Sequence, residues 1–168
     1  MQPADVLATE RISPVGKAAS KKRVLEDVAD LLATALDEPS SEQVFERLLE
    51  RERLGSTGLS GGVALPHARM RGVEAARGAF LRLEQAVDFD AMDGQPVDLV
   101  FGLLVPEEAT DEHLELLASL ARVFSEPAFR SRLREAKADA AQILSIIAGK
   151  DETDANSGQG PGSVRLPA

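Results

Sequence analysis

One stretch constrains the fold more than any other. Val97-Asp98-Leu99-Val100-Phe101-Gly102-Leu103-Leu104-Val105 is apolar at almost every position and is closed by Pro106. A strand with one face in water alternates apolar and polar residues. A run without alternation needs cover on both faces, so it reads as a strand inside a largely buried sheet. Such cover takes helices. Val24, Leu25, Val28, Leu31, Leu32, Ala35 and Leu36 recur at the spacing of an amphipathic helix that begins at Ser20 and is stopped by Pro39. Ser40 and Gln43 have capping-box spacing and open a second helix, with Val44, Phe45, Leu48 and Leu49 on its inner stripe and Gly55 at its left-handed end. Thr110 caps a third, carrying Leu114, Leu117, Leu120, Ala121 and Phe124. Pro127 begins a fourth, about 127–136, and Ala140, Ile143, Leu144 and Ile147 mark a fifth, about 138–148.

Between the helices lie two more strands, Val63-Ala64-Leu65 closed by Pro66 and about Gly78–Leu83, and a turn at Asp93-Gly94. Helices, then strands, then helices imply an α/β layer fold, here a single domain over 20–148. Residues 1–19 hold Pro3, Pro14 and Gly16 with little periodicity and are expected to form a flexible arm, with a short strand near Val6–Ile12. Residues 149–168, rich in Gly, Asp, Asn, Ser and Pro, are expected to be a disordered tail.

Composition removes several functions. With no cysteine, disulfides, zinc–thiolate sites and a Cys nucleophile are excluded, and two histidines argue against a multi-His metal centre. Neither a metal nor another cofactor is expected. The formal charge of −9 argues against nucleic acid, which needs a basic patch, and the short run Lys21-Lys22-Arg23 reads as a solvated helix end. No apolar run reaches the roughly 20 residues of a membrane helix. Met1 to Ser20 also lacks the apolar core of a secretory leader. A soluble cytoplasmic chain without membrane insertion is the expectation.

The chemistry concentrates in Arg51-Glu52-Arg53-Leu54-Gly55-Ser56-Thr57-Gly58-Leu59-Ser60-Gly61-Gly62-Val63-Ala64-Leu65-Pro66-His67-Ala68. Arg51 and Arg53 stand at a helix end, a Gly/Ser/Thr loop follows, and His67 lies just past a short strand. Strand ends in α/β sheets are where ligands bind. Loop N–H groups, hydroxyls and arginines all suit phosphate oxygens. Each part also has an ordinary reading as a turn, a solvated cation or a hydrogen-bonded histidine. The residues by themselves define an anion site, with or without a histidine nucleophile. His113 falls in the first turn of the helix capped by Thr110, where the positive helix end disfavours an imidazolium. It reads either as a neutral donor to a phosphoryl oxygen or as an exposed helical residue. Asp88, Asp90, Asp93 and Asp98 match no calcium loop and read as turn residues. Neither a Gly-Lys-Ser/Thr phosphate loop nor a Gly-x-Gly-x-x-Gly pattern is present, which disfavours ATP- or NAD-dependent chemistry.

The segments Arg51–Gly58 and Val63–Ala68 resemble the active-site region of enzyme IIA domains of the fructose/mannitol class of the bacterial phosphoenolpyruvate:sugar phosphotransferase system. The stretch Phe89–Pro106 is similar to the nitrogen-regulatory branch, and His113-Leu114 falls where that family has its second histidine. The resemblance covers about residues 20 to 148. It departs at Leu65, where Ile or Val is commoner, and at Ala68, where Gly is common. It implies a mixed central β-sheet flanked by helices on both faces. It also implies that His67 accepts a phosphoryl group through Nε2 from a histidine phosphocarrier protein. His113 would hydrogen-bond that group, Arg51 would help neutralise it, and Ser56 and Thr57 would lie beside the same pocket. Since the chain stands without an enzyme IIB, IIC membrane segments or a fused carrier, a phosphotransferase that mainly regulates is expected. Its partners would be proteins such as potassium transporters or sensor kinases. The alternatives are a sugar-specific enzyme IIA that passes phosphate to an enzyme IIB, and a non-catalytic anion-binding module.

Overall fold

The computed structural model describes residues 1–108 and 110–150. The apolar run forms β5 (Val97–Pro106), the sheet's central strand. On one side it pairs antiparallel with β4 (Arg77–Val87), which pairs parallel with β1 (Ile12–Gly16). On the other side it pairs parallel with β2 (Val63–Ala64) and then β3 (His67–Met70). These are two halves of one edge strand, interrupted at Leu65-Pro66.

The two faces of β5 are both buried, as its composition demanded. Val97, Val100 and Leu104 pack with α1 (Lys21–Leu32) and α2 (Ser41–Arg53). Leu99, Phe101, Leu103 and Val105 pack with α3 (Asp111–Phe124), α4 (Pro127–Glu135) and α5 (Ala140–Ile147). The protein is thus a mixed sheet with helices on both faces, as expected. The one acidic residue in the run, Asp98, forms an ion pair with Arg134 at 2.8 Å. Gly102 sits where any Cβ would collide with Val28 of α1, so this close helix–strand contact requires glycine.

The caps follow the sequence. Ser20 accepts from the Arg23 N–H, and Ser40 and Gln43 form a reciprocal box. The first helix stops earlier than its apolar pattern. Ala35 takes φ 64°, and the Thr34 carbonyl accepts from Arg77 at 2.6 Å instead of continuing the helix. Gly55 has φ 158°, nearly extended rather than the left-handed turn expected of it.

The larger correction concerns residues 1–19. They are not a loose arm. Pro3–Val6 and Thr9–Arg11 form short 3-10 turns, and the strand lies at Ile12–Gly16 rather than Val6–Ile12. Val6, Leu7 and Ile12 are buried in the α3–α5 side of the core. Arg11 donates to the carbonyls of Gly78 and Val6, and Arg82 donates to Pro14. These bonds fasten the segment to β4. At the other end, all but Gly149 and Lys150 of the 149–168 tail lies outside the described residues. Among the described residues no helix is long and apolar enough to cross a membrane.

Candidate functional site

His67 is not past the strand, as the sequence suggested. It is the first residue of β3, directly after the break at Pro66. Alternation along β3 turns Ala68 and Met70 into the core under α1 and α2, and leaves His67 and Arg69 on the opposite face, beside α3. The His67 Nδ1 lies 2.8 Å from the carbonyl oxygen of Leu65. A carbonyl only accepts, so Nδ1 carries the proton and Nε2 keeps its lone pair.

Partial burial pushes the His67 imidazole below the ordinary histidine value. The Leu65 hydrogen bond opposes that shift, Arg51 reinforces it, and Glu52 opposes it. The folded state therefore binds this proton less readily than the unfolded chain does. The sign follows: His67 contributes stability that is present above the ordinary value of about 6.5 and is lost as pH falls below it. An NMR titration should give a His67 midpoint below about 6.5. A midpoint at or above that value contradicts the downward shift that burial gives this ring.

His67, His113 and Arg51 line one open cleft of about 1100 Å³. His113 arrives from the first turn of α3. The Thr110 hydroxyl accepts from the His113 N–H, and the Thr110 N–H points at His113 Nδ1, both at 3.4 Å. With Nδ1 accepting, the ring proton sits on Nε2. Arg51 stands in the last turn of α2 and donates from Nη1 to the Gly55 carbonyl at 2.9 Å. Arg47, Arg53 and Arg69 also line the cleft, against Glu50 and Glu107, so it is basic in a chain whose net charge is −9. Its rim carries two exposed leucines, Leu54 at 85% and Leu114 at 62%. Arg47, Arg69 and Leu54 were not singled out from sequence, and Leu114, read there into the apolar pattern of its helix, is exposed instead. The alternation of His67 and Arg69 along a strand was the signal for Arg69.

Ser56 and Thr57 are placed elsewhere. Neither lines the cleft. Ser56 Oγ donates to the Phe89 carbonyl at 2.7 Å and accepts from the Gly58 N–H. Thr57 is buried and donates both its N–H, at 2.8 Å, and its hydroxyl, at 2.7 Å, to the carboxylate of Glu52. The glycine loop does not line the cleft either, and several of its amides are already engaged. Leu59 N–H donates to Val63, and Gly61 N–H donates to Asp93. Lys21 is no solvated helix end either: its ammonium lies 3.0 Å from Glu52, 3.4 Å from Asp90 and over the Phe89 ring. Asp88 and Asp93 accept turn amides, as expected of turn residues. No group of three metal-ligating side chains occurs among the described residues.

A cleft with a free imidazole nitrogen, a second histidine and a surplus of arginines can hold an anion against that nitrogen. The family model for "Phosphoenolpyruvate-dependent sugar phosphotransferase system, EIIA 2" matches residues 5–150. The chain belongs to this enzyme IIA family. The match also takes in most of the N-terminal segment that the sequence reading set apart. A nitrogen regulatory protein of Pseudomonas aeruginosa is 53% identical over 117 residues, covering 70% of this chain and 76% of its own length. The crystal structure of nitrogen regulatory protein IIA-Ntr from Neisseria meningitidis superposes with a TM-score of 0.81 at 44% identity, covering 86% of this chain and 97% of that one. The Escherichia coli mannitol enzyme IIA, solved in complex with phosphorylated enzyme IIB, shares the fold with a TM-score of 0.69 at 22% identity. That match covers 84% of this chain and 96% of that one.

Proposed function

We propose that this enzyme IIA protein is a histidine phosphocarrier of the nitrogen-regulatory type, with His67 as the phosphoryl acceptor. The observation that carries the reading is the His67 ring itself: Nδ1 is tied to Leu65, which leaves Nε2 unprotonated on the cleft shared with His113 and Arg51. The Nε2 lone pair forms the new N–P bond in line. The bond from phosphorus to the donor's imidazole breaks, and its electron pair leaves with that ring. The proton stays on Nδ1 and is donated to the Leu65 carbonyl, which steadies the cationic ring formed. Transfer of this kind rests on positioning and charge neutralisation, and no metal is required. His113 donates from Nε2 to a phosphoryl oxygen, and Arg51 offsets its charge. The donor is a histidine phosphocarrier protein, and the exposed Leu54 and Leu114 give it an apolar footing.

About two negative charges added to a basic cleft change what that face binds, which is how phosphorylation would govern partners such as potassium transporters or sensor kinases. The mannitol relative's complex with a phosphorylated enzyme IIB supports a second reading, in which the same face passes phosphate to an enzyme IIB. The test is incubation with phosphoenolpyruvate, enzyme I and purified carriers, with intact mass as readout. One added phosphoryl group is expected, and none overturns the proposal. Transfer onward to an enzyme IIB favours the second reading.

The two supporting residues have graded effects. His113→Ala slows transfer roughly tenfold to a hundredfold yet leaves labelling, since it removes one donor and not the nucleophile. Arg51→Ala raises the barrier by about 2 kcal/mol, because a single cation in an open cleft is partly screened. Rapid-quench kinetics at fixed carrier concentration checks both. A variant indistinguishable from wild type contradicts the role given to that residue.

A further inference from the structure

Among the described residues, Glu52 and Thr57 are the buried polar side chains, and they are bonded to each other. A buried carboxylate is costly unless charge and hydrogen bonds compensate it. Glu52 has both: Lys21 at 3.0 Å, the Thr57 N–H at 2.8 Å and the Thr57 hydroxyl at 2.7 Å. The chain of contacts continues. The Thr57 carbonyl accepts from the Leu65 N–H at 3.0 Å, and the Leu65 carbonyl faces His67 Nδ1 at 2.8 Å. On the far side of that carbonyl, Pro66 is held because its own carbonyl accepts from the Leu103 N–H at 3.0 Å. The oxygen that selects the His67 tautomer is therefore fixed from both directions, and one of the two anchors ends on Glu52.

We propose that Glu52, with Lys21 as its counter-ion and Thr57 as its intermediary, is a positioning residue that holds the Leu65 carbonyl where it keeps the His67 proton on Nδ1. The inference rests on His67 being the phosphoryl acceptor, for a misplaced carbonyl lets the ring take the other tautomer and blocks Nε2 with a proton. The electrostatics adds to the geometry, since the Glu52 carboxylate favours the charged form of His67.

The test compares wild type with Glu52→Gln, Thr57→Val and Thr57→Ser. It reads the ring 15N shifts of His67 in the unphosphorylated protein and the single-turnover rate of phosphoryl uptake. Thr57→Ser keeps the hydroxyl and should match wild type. Glu52→Gln and Thr57→Val should mix the two tautomers and slow uptake roughly tenfold, the scale seen when the partner orienting a reactive group is lost. Glu52→Gln should also move the His67 titration midpoint further down. Unaltered ring shifts and uptake rates in both variants, whatever happens to their melting temperatures, overturn the inference. If Glu52→Gln does not fold, Thr57→Val decides alone. Mixed tautomers in a protein whose wild type takes no phosphoryl group would uphold the positioning and sink the phosphocarrier reading.

Discussion

His67→Ala yields a folded protein that takes no phosphoryl group from its carrier. The ring is half-buried at the start of an edge strand, so truncation removes little core. What it removes is the nitrogen proposed to form the new bond. His113 does not replace it, because its Nδ1 accepts within the Thr110 cap and its Nε2 holds the proton. The loss is therefore expected to exceed the roughly tenfold to hundredfold change that removal of the supporting donor His113 brings. Intact-mass measurement after exposure to phosphorylated carrier checks it, beside a melting curve that shows the variant folded. Acid-labile label persisting at the wild-type level contradicts the assignment.

The largest effect on stability is expected at Phe124. Its ring lies against three others: stacked on Phe80 at 6.2 Å, and edge-on to Phe101 at 6.0 Å and Phe129 at 5.1 Å. Those partners come from β4, β5 and α4, so one side chain ties α3 to the sheet and to its neighbouring helix. It is 1% exposed. Phe124→Ala leaves a cavity that surrounding rings cannot fill, at a cost of about 4 kcal/mol. For a domain of this size that lowers the melting temperature by roughly 10 °C. Because α3 also presents His113, phosphoryl uptake should slow at temperatures where the variant is still folded. A melting temperature within about 2 °C of wild type contradicts this account of the core.

Both effects trace back to patterns of different range. The nearly unbroken apolar run of Val97–Val105 predicted a doubly covered strand because burial on two faces leaves little room for polar residues. The capping residues Ser20, Ser40 and Thr110 marked helix starts because their chemistry is local. His67, His113 and Arg51 were legible through spacing in a known family, and the structure gives them a common cleft. Glu52 was not legible. A glutamate between two arginines near a helix end looks solvated. Its burial is produced by Lys21, from another helix, and by a loop that folds back over it. Lys21 was misread for the same reason. Ser56 and Thr57 were misplaced because hydroxyls that suit a phosphate oxygen suit a buried carboxylate or a backbone carbonyl equally well. The N-terminal segment gave no periodicity because two 3-10 turns and a five-residue strand are too short to show any. Its order comes from Arg11 and Arg82, whose bonds are long-range.

With Nδ1 tied to Leu65, Nε2 of His67 is the proposed nucleophile. The direct measurement is 15N–31P NMR on protein phosphorylated through its carrier. Phosphorus coupled to Nε2 of His67, with the proton still on Nδ1, is the predicted result. Phosphorus on Nδ1, on His113 or on any other side chain contradicts it.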